Sequence, residues 1–139
     1  MNTNQKGKIT ELEILLAAHK SNIDVSIPYG DKSRYDQIWD VNGNLYRIQI
    51  KTARSKDSTF GKGFTITCKS TCNGVGHHYT KKEIDFFATT WEEKVYLIPV
   101  ECCSIEKNLW LELYRSSNTS FGKMCLAKDY ELSEVLKKL

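Results

Sequence analysis

The chain has 139 residues, of which 40% are hydrophobic and 27% charged, and this is the composition of an ordinary globular protein. A chain of this length is expected to form one domain, residues 1–139. It contains no run of 18 apolar residues, and its N-terminal segment lacks an apolar core after the first charges. These features argue against a spanning helix and a secretory signal, so we predict a cytoplasmic protein with no membrane partner.

Charge is distributed unevenly along the chain. The formal net charge is +3, but residues 44–82 hold eight Lys and Arg residues against one acid, a local net charge of +7. A concentrated positive field of this kind is the electrostatic footprint of a protein that binds a polyanion such as DNA. We therefore expect a cytoplasmic protein that is associated with the nucleoid when it is bound to DNA.

The first half of the chain predicts a helix followed by strands. Residues 8–20 read as a helix, with Ile9, Leu12, Leu15, Leu16 and His19 at helical spacing. A short strand at 23–27 is stopped by Pro28 and Gly30. Two strands follow at 36–41 and 44–52, and a third at 64–68. The polar stretches 55–63 and 70–77 are predicted to be loops.

The second half adds strands and two helices. The Thr80-x-x-Glu83 pattern predicts a capping box that opens a short helix at 80–86. Strands are predicted at 87–91, 94–100 and 108–114, and the strand at 94–100 is apolar enough to be central. A C-terminal helix is predicted at 132–139. Together these elements predict an α/β sandwich with a mixed central β-sheet flanked by helices.

Asn42-Gly43 joins the strands at 36–41 and 44–52 in one β-hairpin. Both positions of a type I′ turn need a positive φ, which Asn-Gly supplies. The turn places Val41 opposite Asn44, and hence Asp36 opposite Gln49. Because side chains alternate along a strand, Lys51 lies on the face of Gln49, whereas Trp39 and Tyr46 lie on the other face and are expected to pack on a helix.

The three polar side chains of this hairpin have the chemistry that metal-assisted phosphodiester hydrolysis needs. Asp36 is predicted to hold Mg²⁺ through one carboxylate oxygen. Lys51 is predicted to orient or deprotonate the attacking water and to stabilise the charge of the transition state. Gln49 either binds the metal through its amide oxygen or donates a hydrogen bond to Asp36, and the backbone carbonyl of Ile50 is a further candidate ligand.

An ordered set of motifs around this hairpin resembles the PD-(D/E)xK nuclease superfamily, and within it the branch of group I intron-encoded homing endonucleases and small related bacterial endonucleases. Gln49 stands where the superfamily consensus has an acid. The matching residues are Gly7-x-x-x-Glu11, Ile27-Pro28-Tyr29-Gly30-Asp31, Arg34-Tyr35-Asp36, Ile48-Gln49-Ile50-Lys51-Thr52, Tyr79, Ile84-Asp85 and Val95-Tyr96-Leu97-Ile98-Pro99-Val100.

The resemblance implies a restriction-endonuclease-like fold and a Mg²⁺-dependent deoxyribonuclease, with Mn²⁺ as a substitute metal. It also implies that Glu11, on the first helix, reaches the metal or its water, although an acid in a first helical turn is commonly a helix-dipole residue. Asp85 matches a family position but is interpreted as structural. The candidate contacts to DNA are Arg34, Arg47, Arg54, Lys56, Lys62, Lys69, His77 and His78.

Several functions remain open from the sequence. One chain holds one site, so a double-strand cutter of homing type would act as a homodimer or homotetramer on double-stranded DNA. The alternatives are a nuclease of the Holliday-junction type, a DNA-binding module with a decayed site, and a toxin or immunity partner.

The cysteines leave one further alternative. Their odd number favours reduced thiols, but Cys68 and Cys72, followed by His77-His78, could contribute to a zinc site with Cys102 or Cys103.

Overall fold

The fold is taken from a computed structural model that describes residues 1–72, 74–114, 118–119 and 122–139. These residues form two α-helices and twelve strands: α1 Thr3–Lys20, β1 Asp24–Ser26, β2 Gln37–Val41, β3 Asn44–Ile50, β4 Arg54–Asp57, β5 Gly61–Thr67, β6 Lys69–Cys72, β7 Val75–His78, β8 Phe86–Trp91, β9 Lys94–Pro99, β10 Glu106–Leu113, β11 Asn118–Thr119, β12 Gly122–Lys123 and α2 Leu132–Leu136. Among the described residues, no helix is long and apolar enough to cross a membrane.

The main sheet has five strands in the order β1-β2-β3-β8-β9. Only β3 and β8 run parallel, and the other neighbours are antiparallel. The prediction of a mixed α/β fold is thereby confirmed. The central position predicted for 94–100 is wrong, because β9 lies at the edge of this sheet. Its apolar sequence is explained by burial on both faces, where Tyr96, Leu97 and Ile98 are all enclosed.

Helix α1 begins earlier than predicted. The side chain of Asn2 accepts a hydrogen bond from the backbone N–H of Gln5, and the side chain of Gln5 accepts one from the backbone N–H of Asn2, so that a capping box starts the helix at Thr3. The side chains at helical spacing that indicated the helix are not the ones it buries. The residues buried against the sheet are Thr10, Ile14 and Ala18, while Leu12 and Leu16 are 63% and 55% exposed.

Both helices pack on one face of the main sheet. Trp39 lies in the same core as Ile14 and Ala18 of α1, and Tyr46 packs against that core, as the hairpin alternation predicts. Leu132 and Val135 of α2 belong to the same cluster. The opposite face of the sheet is therefore left for a different layer.

A three-stranded sheet, β10-β5-β4, covers that opposite face. Phe64 and Ile66 of β5 pack there with Phe87 and Ile98 of the main sheet. The loop predicted at 55–63 is therefore largely wrong, since it contains β4 and the start of β5. A Cβ atom on Gly63 would overlap the backbone carbonyl of Leu109, so this glycine is needed for close strand packing, not for flexibility.

Two more predictions fail in the segment that follows β5. Of the stretch 70–77, predicted to be a loop, residues 70–72 belong to β6 and 75–77 to β7, and these strands pair with Lys69 opposite His78. Residues 80–86 form a turn and the start of β8 instead of a helix. Glu83 does accept hydrogen bonds from the backbone and hydroxyl of Thr80, but the backbone N–H of Asp85 then bonds to Arg47 and draws the chain onto β3.

Candidate active site

The β2–β3 hairpin has the register that the Asn-Gly turn predicts. Val41 pairs with Asn44 and Gln37 with Ile48, around Asn42 and Gly43 at φ angles of 54° and 87°. Regular pairing stops one residue before Asp36, whose backbone N–H bonds to the carbonyl of Ile48 at 2.8 Å. Asp36 directly precedes β2, and its side chain therefore lies next to the last residues of β3.

The carboxylate of Asp36 is fixed by the main chain of β3. Its Oδ2 accepts a hydrogen bond of 2.8 Å from the backbone N–H of Ile50. Burial raises the pKa of this half-buried carboxyl, while the Ile50 hydrogen bond and the charge of Lys51 act in the opposite direction. Asp36 is therefore held in place at an electrostatic cost to its charged form.

Gln49 and Ile50 follow directly on Ile48, the β3 residue that pairs with Gln37, so the hairpin register brings them next to Asp36. The Asp36 carboxylate accepts a hydrogen bond from the backbone of Ile50, and the Gln49 side chain makes none to it. In a strand, the N–H and C=O of one residue point to the same side, so the Ile50 carbonyl also points toward the Asp36 side of β3. The amide oxygen of Gln49 and the carbonyl oxygen of Ile50 are therefore available as ligands for a cation.

Lys51 is half-buried immediately after β3. Its backbone N–H bonds to the carbonyl of Ala88, and its Nζ lies 3.4 Å from the carbonyl oxygen of Lys69. Burial lowers the pKa of the Lys51 ammonium, while the charge of Asp36 raises it and that of Arg34 lowers it. Lys51 and Asp36 thus lie within electrostatic reach, yet they form no ion pair within 4.0 Å.

Glu11 reaches the same region from helix α1. It is half-buried, 4.0 Å from Lys8, and lines a cleft of about 320 Å³ together with Asp36. Pro28, Gly30 and Asp31, from the loop after β1, also line this cleft. The resemblance predicted that an acid of the first helix would approach the hairpin, and the structure places Glu11 and Asp36 on one cavity.

The donor set fits a hard divalent cation that keeps several waters. Among the described residues, no three His, Cys, Asp or Glu side chains form a cluster that could hold a metal ion. The available ligands are instead two carboxylates, Asp36 and Glu11, with the amide oxygen of Gln49 and the carbonyl of Ile50. Mg²⁺ favours such a site, because it binds through one or two carboxylates and completes its octahedron with water and phosphate oxygens.

Three arginines predicted to contact DNA have partners within the protein. Arg34 pairs with Glu83 at 3.2 Å and donates to the carbonyl of His78. Arg54 pairs with Glu106 at 2.7 Å. These interactions hold both guanidinium groups against the protein surface and reduce their freedom to move toward a phosphate.

Arg47 is the most constrained of the three. Its Nε lies 3.4 Å from Asp85, and its two terminal nitrogens donate to the carbonyls of Lys81 and Lys82. Asp85 also accepts a hydrogen bond of 2.8 Å from the backbone of Arg47, which agrees with the structural interpretation of Asp85. Arg47 joins β3 to the turn before β8.

The other predicted contacts are less constrained. Lys62 is exposed and Lys56 half-buried, and neither forms an ion pair within the described part of the chain. His77 and His78 are exposed on the β6–β7 hairpin, which also carries Lys69. The predicted DNA contacts thus fall into two groups: lysines on β4, β5 and the hairpin that form no ion pair among the described residues, and arginines that bind other parts of the protein.

Tyr79 links the site to the base of the β6–β7 hairpin. Its ring lies 4.0 Å from the guanidinium carbon of Arg34 and 5.2 Å from Nζ of Lys51. Tyr79 is one of the residues that carry the family resemblance, but its contacts with Arg34 and Lys51 depend on the fold and could not be predicted from spacing. The thiols of Cys68 and Cys103, proposed for zinc, lie 3.9 Å and 3.6 Å from the backbone carbonyl oxygens of Ile66 and Pro99.

The fold and site together define a mixed α/β protein with an acid, an amide and a lysine converging on one hairpin. The family model described as PD-(D/E)XK endonuclease matches residues 1–133. The chain therefore belongs to the PD-(D/E)XK endonuclease family, and its class of activity is that of a nuclease.

A solved structure of similar fold is that of a bacterial homing endonuclease, I-Ssp6803I. It is 23% identical in sequence, with a TM-score of 0.76, and the match covers 99% of this chain and 95% of that one. A search of curated proteins found no match. The structural likeness confirms the restriction-endonuclease-like fold.

Proposed function

We propose that this protein is a Mg²⁺-dependent endonuclease that cuts both strands of DNA at a specific site, as a homing-type enzyme. The observation that carries the proposal is the position of Asp36, whose carboxylate is bonded to Ile50 within electrostatic reach of Lys51. Gln49 lies between Asp36 and Lys51 in the sequence. The likeness in fold to a homing endonuclease supports the homing-type reading.

The acidic side of the site is proposed to hold the metal. Asp36 and Glu11 would supply the charged ligands, and Gln49 and the Ile50 carbonyl the neutral ones. A bound Mg²⁺ would act as a Lewis acid on the scissile phosphate and lower the pKa of a bound water. Mn²⁺ is expected to substitute, because it accepts the same oxygen ligands.

Lys51 is proposed to act on the reacting phosphate itself. Its ammonium is within electrostatic reach of Asp36 but is not paired with it, so the N–H donors that do not contact the Lys69 carbonyl stay available to an attacking water and to the oxygens that gain charge. A donor placed in advance at developing charge lowers the barrier without any rearrangement during the reaction. Asp36 and Lys51 therefore have separate tasks on one hairpin.

The DNA is proposed to lie across β4, β5 and the β6–β7 hairpin. Lys56, Lys62 and Lys69 would contact phosphates there, together with His77 and His78 at the base of the hairpin. A two-stranded ribbon of this kind fits the major groove of B-DNA. Arg34, Arg47 and Arg54 are proposed to support this surface, since their guanidinium groups already bind protein atoms.

A homodimer or homotetramer is proposed because one chain offers a single site for two strands. Residues 1–139 are proposed to act as one domain in that assembly. The exposed side chains Ile9, Leu12 and Leu16 form an apolar stripe along α1, at i, i+3 and i+7. We propose that a second copy of the chain packs against this stripe. Leu12→Glu would then convert the assembly to monomers, which a light-scattering measurement detects.

The test is a cutting assay on linear, supercoiled and four-way-junction DNA, with Mg²⁺, with Mn²⁺ and with EDTA. Metal-dependent breaks in linear duplex DNA are the expected result. Cutting restricted to four-way junctions would replace the homing-type proposal by a resolvase. Tight, salt-sensitive binding without cutting would instead identify a DNA-binding module whose site has decayed, the reading that Gln49 in place of an acid favours.

A further inference from the structure

We propose that Tyr79 is a positioning residue that holds the ammonium of Lys51 in its working place. The proposal rests on the nuclease function proposed above, in which Lys51 meets the reacting phosphate. Lysine has four rotatable side-chain bonds, so a catalytic lysine at the end of a strand needs neighbours that fix it. The structure gives Lys51 two such neighbours besides Asp36: the carbonyl of Lys69 at 3.4 Å and the ring of Tyr79 at 5.2 Å.

The Tyr79 ring is itself well held. The ring of Phe87 is nearly perpendicular to it, at a centroid distance of 5.3 Å and an interplanar angle of 87°, and the guanidinium of Arg34 lies 4.0 Å from its centre. A half-buried ring held by an aromatic neighbour and a guanidinium group is a rigid surface for a cation.

An aromatic ring attracts an ammonium through the negative charge of its face. Unlike a carboxylate, it neither neutralises the ammonium nor competes for a metal ion. The ring therefore gives Lys51 an attractive partner that is not Asp36. Asp36 and Lys51 form no ion pair, although each influences the pKa of the other.

The arrangement also ties Lys51 to the proposed DNA surface. Lys69 and Ser70 start strand β6, and His78, whose carbonyl accepts a hydrogen bond from Arg34, ends strand β7. Tyr79 follows directly. The Lys69 carbonyl and the Tyr79 ring thus both lie at the base of one hairpin, so DNA contacts along this hairpin would bear on the position of Lys51.

The experiment compares Tyr79→Phe and Tyr79→Leu with Tyr46→Leu. Tyr46 is the matched control, because it is also half-buried and meets Phe86 edge to face at 5.7 Å, but on the helix side of the sheet. Three quantities are measured: the single-turnover cutting rate at saturating DNA with Mg²⁺, the DNA Kd with Ca²⁺, and the NMR shifts of the Lys51 side-chain methylenes.

Tyr79→Leu is expected to lower the cutting rate about tenfold, the scale of a lost cation–π contact in a partly desolvated site. It should leave the DNA Kd within about twofold of the value for the unaltered chain, because the proposed contacts to phosphate do not change. Tyr79→Phe, which keeps the ring, is expected to restore the rate to within about threefold of the unaltered chain. In both the unaltered chain and Tyr79→Phe, ring currents shift the Lys51 methylene signals, and Tyr79→Leu removes that shift.

Two results overturn the proposal. One is a cutting rate for Tyr79→Leu that equals the rate of Tyr46→Leu, because a merely structural tyrosine would act only through stability. The other is a Lys51 methylene shift that Tyr79→Leu leaves unchanged. A chain that cuts no DNA at all would refute the nuclease function instead, and the methylene shifts would then still decide whether Tyr79 positions Lys51.

Discussion

The backbone N–H of Ile50 donates a hydrogen bond of 2.8 Å to Oδ2 of Asp36. At the open end of the β2–β3 hairpin, this bond to a side chain takes the place of the next backbone hydrogen bond between the two strands. It engages one carboxylate oxygen and holds the group in a half-buried position where ionisation is disfavoured. The site is thus built at the expense of stability, and this can be measured.

Asp36→Asn is predicted to stabilise the metal-free protein at neutral pH. The pKa of Asp36 is raised in the folded state, so the folded state holds this proton more tightly than the unfolded chain. The resulting destabilisation is absent below the unfolded pKa, grows as the pH rises toward the folded pKa, and is complete above it. Asparagine keeps an oxygen that can accept the Ile50 hydrogen bond but carries no charge.

The measurement is the Tm in EDTA at several pH values. A higher Tm for Asp36→Asn at pH 7 is expected, with a difference that shrinks as the pH falls. Asp129→Asn, which changes an exposed carboxylate, serves as the control. A lower Tm for Asp36→Asn at neutral pH would show that burial does not dominate the energetics of this carboxylate.

Gln49→Glu is predicted to keep cutting activity and to tighten metal binding. The amide of Gln49 does not hydrogen-bond to Asp36, so a carboxylate at this position would add a charged ligand next to the metal site. The Mg²⁺ concentration that gives half-maximal cutting should fall. Gln49→Ala is the matched variant, for which that concentration should rise. A loss of cutting in Gln49→Glu would mean that the new charge repels Asp36 instead.

DNA affinity is predicted to fall steeply with salt, and Lys62→Ala to reduce that dependence. Each phosphate that the protein neutralises releases counterions, so the slope of log K against log salt should decrease in magnitude by about 1 for one lost contact. Lys128→Ala alters an exposed lysine outside the proposed surface and should leave the slope unchanged. Equal slopes for Lys62→Ala and the unaltered chain would remove β5 from the DNA surface.

Gly63→Ala is predicted to destabilise the fold by about 1–3 kcal/mol, the usual cost of overpacking. The added Cβ would meet the Leu109 carbonyl, a backbone atom that cannot turn aside. Gly7→Ala is the matched control, since a Cβ there meets nothing within 4 Å and Ala favours a helix. Denaturant unfolding measures both variants, and equal stabilities would contradict the close approach of β5 and β10.

The hairpin could be predicted because its signals are local. Asn42-Gly43 defines a turn whose positive φ angles the structure contains, and the turn alone sets which residues of β2 and β3 face each other. The resemblance added Glu11, which the fold places on the Asp36 cleft. No spacing rule links two residues that are so far apart in sequence.

The failed predictions concern features that depend on long-range contacts. The glycines at 61 and 63 suggested a loop, whereas the approach of β10 requires them within a strand. Leu12 and Leu16 matched a buried helical face, but the sheet contacts Ile14 and Ala18 instead. The partners of Arg47 come from the turn before β8, so its structural role could not be read from the +7 segment alone.

The central claim is that Asp36 and Lys51 form a catalytic pair, and the direct test is single-turnover cutting by Lys51→Ala. The DNA Kd of each variant is measured in parallel with Ca²⁺, and Lys138→Ala, an exposed lysine of the C-terminal segment, is the control. Lys51→Ala is predicted to lose cutting by about 100-fold or more, corresponding to about 3 kcal/mol of transition-state stabilisation, while DNA binding is largely kept. Cutting by Lys51→Ala at the rate of Lys138→Ala would contradict the account.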